Sequence, residues 1–79
     1  MTLTLRDGWT MTIGASGYIG WKRIGAPDTL AYVIMTNTGA VYAYPFGKWG
    51  EDSGELCDSL LEAHAYLIES GSESPWEAV

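Results

Sequence analysis

Cys57 and His64 are the only thiol and the only imidazole in the chain, so any nucleophilic or zinc chemistry must begin with them. On a helix their seven-residue separation is a rise of about 10 Å, too far for one zinc ion or a nucleophile–base hydrogen bond. Both fall among leucines, where a cysteine behaves as a small buried hydrophobe, and both read as structural. Gly14, Gly17 and Gly20 are spaced G-x-x-G-x-x-G, which matches neither the dinucleotide fingerprint nor the P-loop. They also precede a strand-like run where a phosphate loop needs a helix N-terminus. Ser16, in the same turn, has no base that the sequence assigns to it. With no base, nucleophile and orienting group to assemble, no enzyme, metal site or cofactor is expected.

The chemistry the chain does offer is charge. Residues 51–79 hold eight carboxylates and no lysine or arginine. Residues 1–50 hold four bases (Arg6, Lys22, Arg23, Lys48) against Asp7 and Asp28, so +2 and −8 make up the net −6. A solvated helix face normally mixes both signs, so this segregation points one part of the surface at a cationic partner. Glu55, Glu62 and Glu69 recur every seven residues, about 10 Å apart on a helix. Asp58 sits between them, and Glu51, Asp52, Glu73 and Glu77 extend the charge at both ends. Such a row can imitate nucleic-acid phosphates and occupy a basic groove, or it can simply keep a solvated face charged. A divalent-cation site is the weaker alternative, because no Asp-rich loop with EF-hand spacing is present.

The elements that must position these acids follow from periodicity. Trp9 to Ile13 alternates with period two, as do Leu3 and Leu5 with Thr2 and Thr4, and Asp7-Gly8 between them predicts a hairpin. Gly14-Ala-Ser-Gly17 is a second turn, and Tyr18 to Ile24 a third strand that ends at Gly25-Ala-Pro-Asp28. Leu30 to Thr36 is apolar on both sides, which predicts a central strand. Asn37-Thr-Gly39 turns the chain into Ala40 to Phe46, with Tyr42 and Tyr44 on one side. Asp52 as N-cap with Glu55 three residues on predicts a helix carrying a stripe of Leu56, Leu60, Leu61, His64, Leu67 and Ile68, stopped by Gly71 and Pro75. The expected fold is α+β: a small antiparallel sheet of four to five strands with one C-terminal helix packed on a face. Residues 1–79 form a single domain, with a sheet part at 1–50, an acidic amphipathic helix at 51–70 and a polar tail at 71–79.

Seventy-nine residues bury only about 60–65% of their unfolded surface, leaving no room for a deep cleft beside the core. The core material is good, with 47% apolar residues including four Trp and five Tyr. Seven aromatics (Trp9, Trp21, Tyr32, Tyr42, Tyr44, Phe46, Trp49) exceed what one side of so small a sheet hides, which makes Tyr42, Tyr44 and Trp49 candidate partner contacts. A single cysteine allows no internal disulfide and suits a reducing cytoplasm, and MTLTLRDGW shows no signal-peptide pattern. The longest mostly apolar stretch, Leu30 to Met35, is too short to cross a bilayer. A pI near 4.3 argues against direct contact with nucleic acid or anionic membrane.

In length, acidity and the basic-free stretch EDSGELCDSLLEAHAYLIESGSESPWEAV, the chain resembles the small phage-encoded inhibitors of the anti-CRISPR type. The likeness is one of character, since those inhibitors share no common motif. It implies a cytoplasmic, non-enzymatic inhibitor acting as a nucleic-acid mimic on a basic nucleic-acid-binding protein or complex, such as a CRISPR surveillance complex. The competing expectation is an interaction module that pairs through a sheet edge or the tyrosine face, as a homodimer.

Overall fold

The Trp-Thr-Met-Thr-Ile run forms a strand because its β-branched and large side chains fit a pleated surface and alternate between its two sides. The computed structural model describes residues 2–14, 16–27, 31–45 and 54–79, and within them this run is β2 (Trp9–Ile13), following β1 (Leu3–Leu5). β2 pairs antiparallel with β3 (Ile19–Arg23), and Met11 lies opposite Trp21. β4 (Val33–Met35), β5 (Val41–Ala43) and β6 (Glu55–Cys57) complete an antiparallel sheet of order β2-β3-β4-β5-β6. The strand predicted to be central is central: β4 has two strands on either side, although Leu30 at the start of the predicted run lies outside the described residues. Between β4 and β5 the turn closes through Thr36 N–H to Ala40 O at 2.8 Å, with Gly39 at φ +91°.

The register puts Trp21, Val33, Val41, Ala43 and Cys57 on one face, and all five are buried. Helix α1 (Leu60–Glu69) packs on that face at β5 and β6, inserting Ala63 and Leu67. The chain then runs through Ser74 and Pro75 into β7 (Trp76–Ala78), whose Trp76 meets Trp21 edge-on at 5.3 Å between ring centroids. β7 pairs antiparallel with β1, giving a separate two-stranded sheet. The fold is therefore α+β, as the sequence predicts, with a single helix among the described residues near the C-terminal end.

Four expectations are corrected. β1 does not form a hairpin with β2; Leu3 lies opposite Ala78 and Leu5 opposite Trp76. The Asp7-Gly8 turn, bridged by Trp9 N–H to Arg6 O, carries the chain from one sheet to the other rather than back on itself. The helix begins at Leu60, not in the region of Asp52, and Glu55–Cys57 is a strand. Pairing with β5 puts Cys57 into the core, and Ser59 caps the helix instead by accepting the Glu62 N–H at 3.1 Å. Residues 71–79 are no polar tail, since Ser74, Pro75 and Trp76 are buried and β7 follows. Finally, the predicted buried stripe is split: Leu67 is buried, Leu60 and His64 are half-buried, and Leu56, Leu61 and Ile68 are exposed. In the helix that starts at Leu60, Ala63 and Leu67 are buried and Leu61 and Ile68 are turned outward.

Gly54, just before β6, is required sterically: a Cβ there would lie 2.5 Å from the ring of Tyr44. Gly54→Ala displaces that ring or the strand and is expected to cost about 1–3 kcal/mol. The measurement is the urea midpoint at unchanged m-value, and an unshifted midpoint would show that the contact is not tight.

Candidate functional site

The acidic residues do not form one helical row. Glu55 ends up on β6, Asp58 in the connection after it, and Glu62 in the first turn of α1. These three exposed carboxylates gather around Cys57 and all raise the pKa of its thiol, although burial is the larger cause. Glu62 does double duty locally: its amide is capped by Ser59, and its carboxylate accepts the Asp58 N–H at 3.0 Å. A carboxylate in a first turn also meets the positive end of the helix dipole. Glu69 stands exposed in the last turn, which holds no base to offset it.

Glu73 and Glu77 are placed differently. Arg23 donates to the Glu73 carboxylate, and Arg6 lies 4.0 Å from that of Glu77. The Arg23 guanidinium also sits 5.7 Å from the centroid of the Trp9 ring, which packs edge-on against Tyr32. The two acids are thus locally neutralised on the β1–β7 side, leaving Glu55, Asp58, Glu62 and Glu69 with no ion pair among the described residues. Glu51, Asp52 and Trp49 lie outside the described residues.

Beside Glu69 is apolar surface that includes Leu61 and Ile68 of the predicted buried stripe. Leu61, Ala65 and Ile68 follow one another at helical spacing and, with His64, Glu69 and Ala78, line a shallow groove of about 390 Å³ between α1 and β7. The signal was present in the sequence: apolar residues occupy Leu60, Leu61, Ala63, Ala65, Tyr66, Leu67 and Ile68, more than one buried stripe can absorb. On the opposite face of the sheet the register lines up Ile34, Tyr42 and Leu56 across β4, β5 and β6. Ile34 and Tyr42 are half-buried and Leu56 is exposed, so the tyrosine face exists but its centre is Tyr42 with two aliphatic neighbours. Tyr44 is instead occupied in covering Gly54.

Cys57 and His64 serve the structure. Cys57 is 3% exposed and its Sγ faces the Glu55 carbonyl at 3.6 Å. His64 Nδ1 lies 2.6 Å from Ser74 Oγ, which also accepts the Trp76 N–H at 3.2 Å, tying the helix to the start of β7. Among the described residues no group of three or more His, Cys, Asp or Glu is placed to hold a metal ion, and no helix is long and apolar enough to cross a membrane. Comparison with protein-family models, curated proteins and solved structures finds no match, so the class rests on the fold and on this surface.

Two outcomes test these assignments. Ser74 is fully buried, so Ser74→Ala leaves the Trp76 amide without its acceptor and is expected to cost about 1–3 kcal/mol in urea unfolding. Ser70→Ala, at the exposed end of the helix, should stay within about 0.5 kcal/mol. The thiol, held above its ordinary 9.0 by burial and then by Glu62, Glu55 and Asp58, stays neutral at pH 8 and should react with disulfide reagents only as fast as the protein opens. Because the folded pKa is the higher one, this group's stabilisation is full below the unfolded value and is lost as pH rises past it. Rapid labelling of native protein at pH 8 would contradict the buried assignment.

Proposed function

We propose that this protein is a non-enzymatic binding protein that occupies the basic, nucleic-acid-binding surface of another protein, in the manner of the anti-CRISPR-type inhibitors it resembles. One observation carries the reading: Glu55, Asp58, Glu62 and Glu69 are exposed without an ion pair among the described residues, and exposed Leu61 and Ile68 share α1 with Glu62 and Glu69. Apolar surface edged by charge is the anatomy of a protein–protein interface, with the apolar part supplying burial and the charge steering and selecting the partner. A row of carboxylates alone would be too sparse to substitute for a duplex, which carries a charge every ~1.7 Å. Acids combined with leucine and isoleucine anchors do not depend on matching that density.

The chemistry argues for a cationic partner. Arg6 and Arg23 are engaged by Glu77 and Glu73, so those arginines leave the other acidic cluster untouched. With six net negative charges, approach to a nucleic acid or an anionic bilayer is repelled at long range, and approach to a basic groove is accelerated.

The test is capture of a partner from a lysate of the source cell, followed by competition. The captured protein should be a nucleic-acid-binding protein, should elute as ionic strength rises through the range that screens surface charge, and should be displaced by its own DNA or RNA. Glu55→Lys combined with Glu69→Lys should weaken capture about tenfold or more without lowering the melting temperature. Both are chosen because, unlike Glu62, neither carboxylate caps the helix. Capture indifferent to salt, to nucleic acid and to these reversals would remove the reading.

A further inference from the structure

The two edges of the five-stranded sheet differ in a way that predicts self-association. β6, at one edge, carries the exposed Glu55 and is followed by Asp58. Pairing β6 with itself would bring these acids together, and charge on an edge strand is a recognised guard against such pairing. β2, at the other edge, reads Trp-Thr-Met-Thr-Ile with neither charge nor proline, and its Met11 and Ile13 are 49% and 72% exposed.

The hydrogen-bond parity shows which groups that edge offers. Ile24 N–H donates to Gly8 O and Gly14 N–H to Tyr18 O, so the even-numbered positions of β2 face β3. In an antiparallel ladder the alternate residues point the other way, which directs the N–H and C=O of Met11 and Ile13, and the C=O of Trp9, out of the sheet. The Trp9 N–H is already used by Arg6 O.

We infer that β2 is a homodimerisation edge, on which a second copy of the chain docks its own β2 antiparallel about a two-fold axis at Met11. Met11 then pairs reciprocally with Met11 of the copy, and Ile13 N–H donates to Trp9 C=O of the copy. The same register sets Trp9 beside Ile13 and Thr10 beside Thr12 of the copy, aromatic–β-branched and Thr–Thr pairs that favour strand association. Self-complementarity is what an isologous interface requires, and this five-residue strand has it about its own midpoint. An edge this short, about 17 Å, buries less than the ~800 Å² per partner of tight complexes, so the dimer is weak and concentration-dependent. The inference is independent of the acidic binding surface, which does not include β2.

Sedimentation equilibrium of the full chain over a thousandfold concentration range should show a monomer–dimer equilibrium. Met11→Pro removes a donor that points away from β3 and costs no intramolecular bond, so it should leave a folded monomer. Met11→Lys, which sets like charges directly opposite at the axis, should weaken the dimer about tenfold without changing the melting temperature. Met11→Cys should cross-link under mild oxidation, because paired Cα atoms at ~5.5 Å fit a disulfide. Ile13→Cys should not, because in this register its copies are separated by four residues, about 14 Å, along the strand. A wild-type chain monomeric throughout, or a dimer that survives both Met11→Pro and Met11→Lys, overturns the edge. Cross-linking by Ile13→Cys rather than Met11→Cys overturns the register.

Discussion

Trp76 against Trp21 is the contact on which the rest of the arrangement depends. The pair joins the last strand of the chain to the second strand of the large sheet, at 5.3 Å and an interplanar angle of 63°. Aromatic pairs in this geometry add about 0.5–1.5 kcal/mol to the large area they bury. Its greater effect is topological. With Trp76 in place, β7 pairs with β1, and the Ser74 hydroxyl meets His64, tying the helix to the start of β7. Ala63, fully buried, then allows the helix backbone to approach β5 and β6 closely, and Leu67 fills the space beside it. A chain of this size has one core and little redundancy, so these few contacts decide which helical side chains face water.

That dependence explains what could and could not be read from the sequence. β2, β3, β4 and β5 are written locally: β2, β3 and β5 alternate, β4 is a short run apolar on both sides, and each has a turn signal beside it. The C-terminal end of the helix was equally legible, since Gly71 takes the left-handed conformation (φ +73°) and donates to Ile68 O. The start was not. Asp52 with Glu55 and Ser59 with Glu62 have the same capping spacing, and nothing local ranks one above the other. The choice is made by β6, which pairs three residues with β5 and takes the segment out of helical conformation. Glu-Leu-Cys is too short to announce itself as a strand, and its leucine fits the helical phase as well as the extended one. The pairing of β1 with β7 is less legible still, because it joins the two ends of the chain and is specified by the burial of Trp76 rather than by any local pattern.

The acidic surface shows the same division between composition and geometry. Composition established that the charge is segregated along the chain; it could not say that the fold would return two arginines to it. Arg6 and Arg23 reach Glu77 and Glu73 only because β1 lies on β7 and β3 ends near residue 73. Exposed pairs of this kind contribute little to stability, typically below about 1 kcal/mol. What they change is the local charge: among the described residues Glu73 and Glu77 are paired with arginines, whereas Glu55, Asp58 and Glu62, gathered around Cys57, are not. Seven-residue spacing suggested a long ridge, whereas the fold yields a compact acidic end with Glu69 set apart at the far end of the helix.

The order of strands then separates two kinds of surface on one small body. β6 and β2 are opposite edges of the large sheet, roughly 19 Å apart at ~4.8 Å per strand step. The convergent carboxylates belong to the β6 edge and the helix start beside it, and β2 carries the uncharged ladder of outward backbone groups, unpaired among the described residues apart from the Trp9 N–H. Self-repulsion in a protein with six net negative charges is least where a copy meets uncharged residues, and β2 itself carries none. Pairing there does not occlude the acidic ends; it places one at each extremity of a continuous sheet, facing away from the axis. On the proposed function, two weakly bound copies would meet a repetitive basic surface with both ends at once, the second contact forming at the high effective concentration set by the first. An edge strand without charge or proline is a liability in an ordinary monomer, and here the rest of the fold leaves it both accessible and self-complementary.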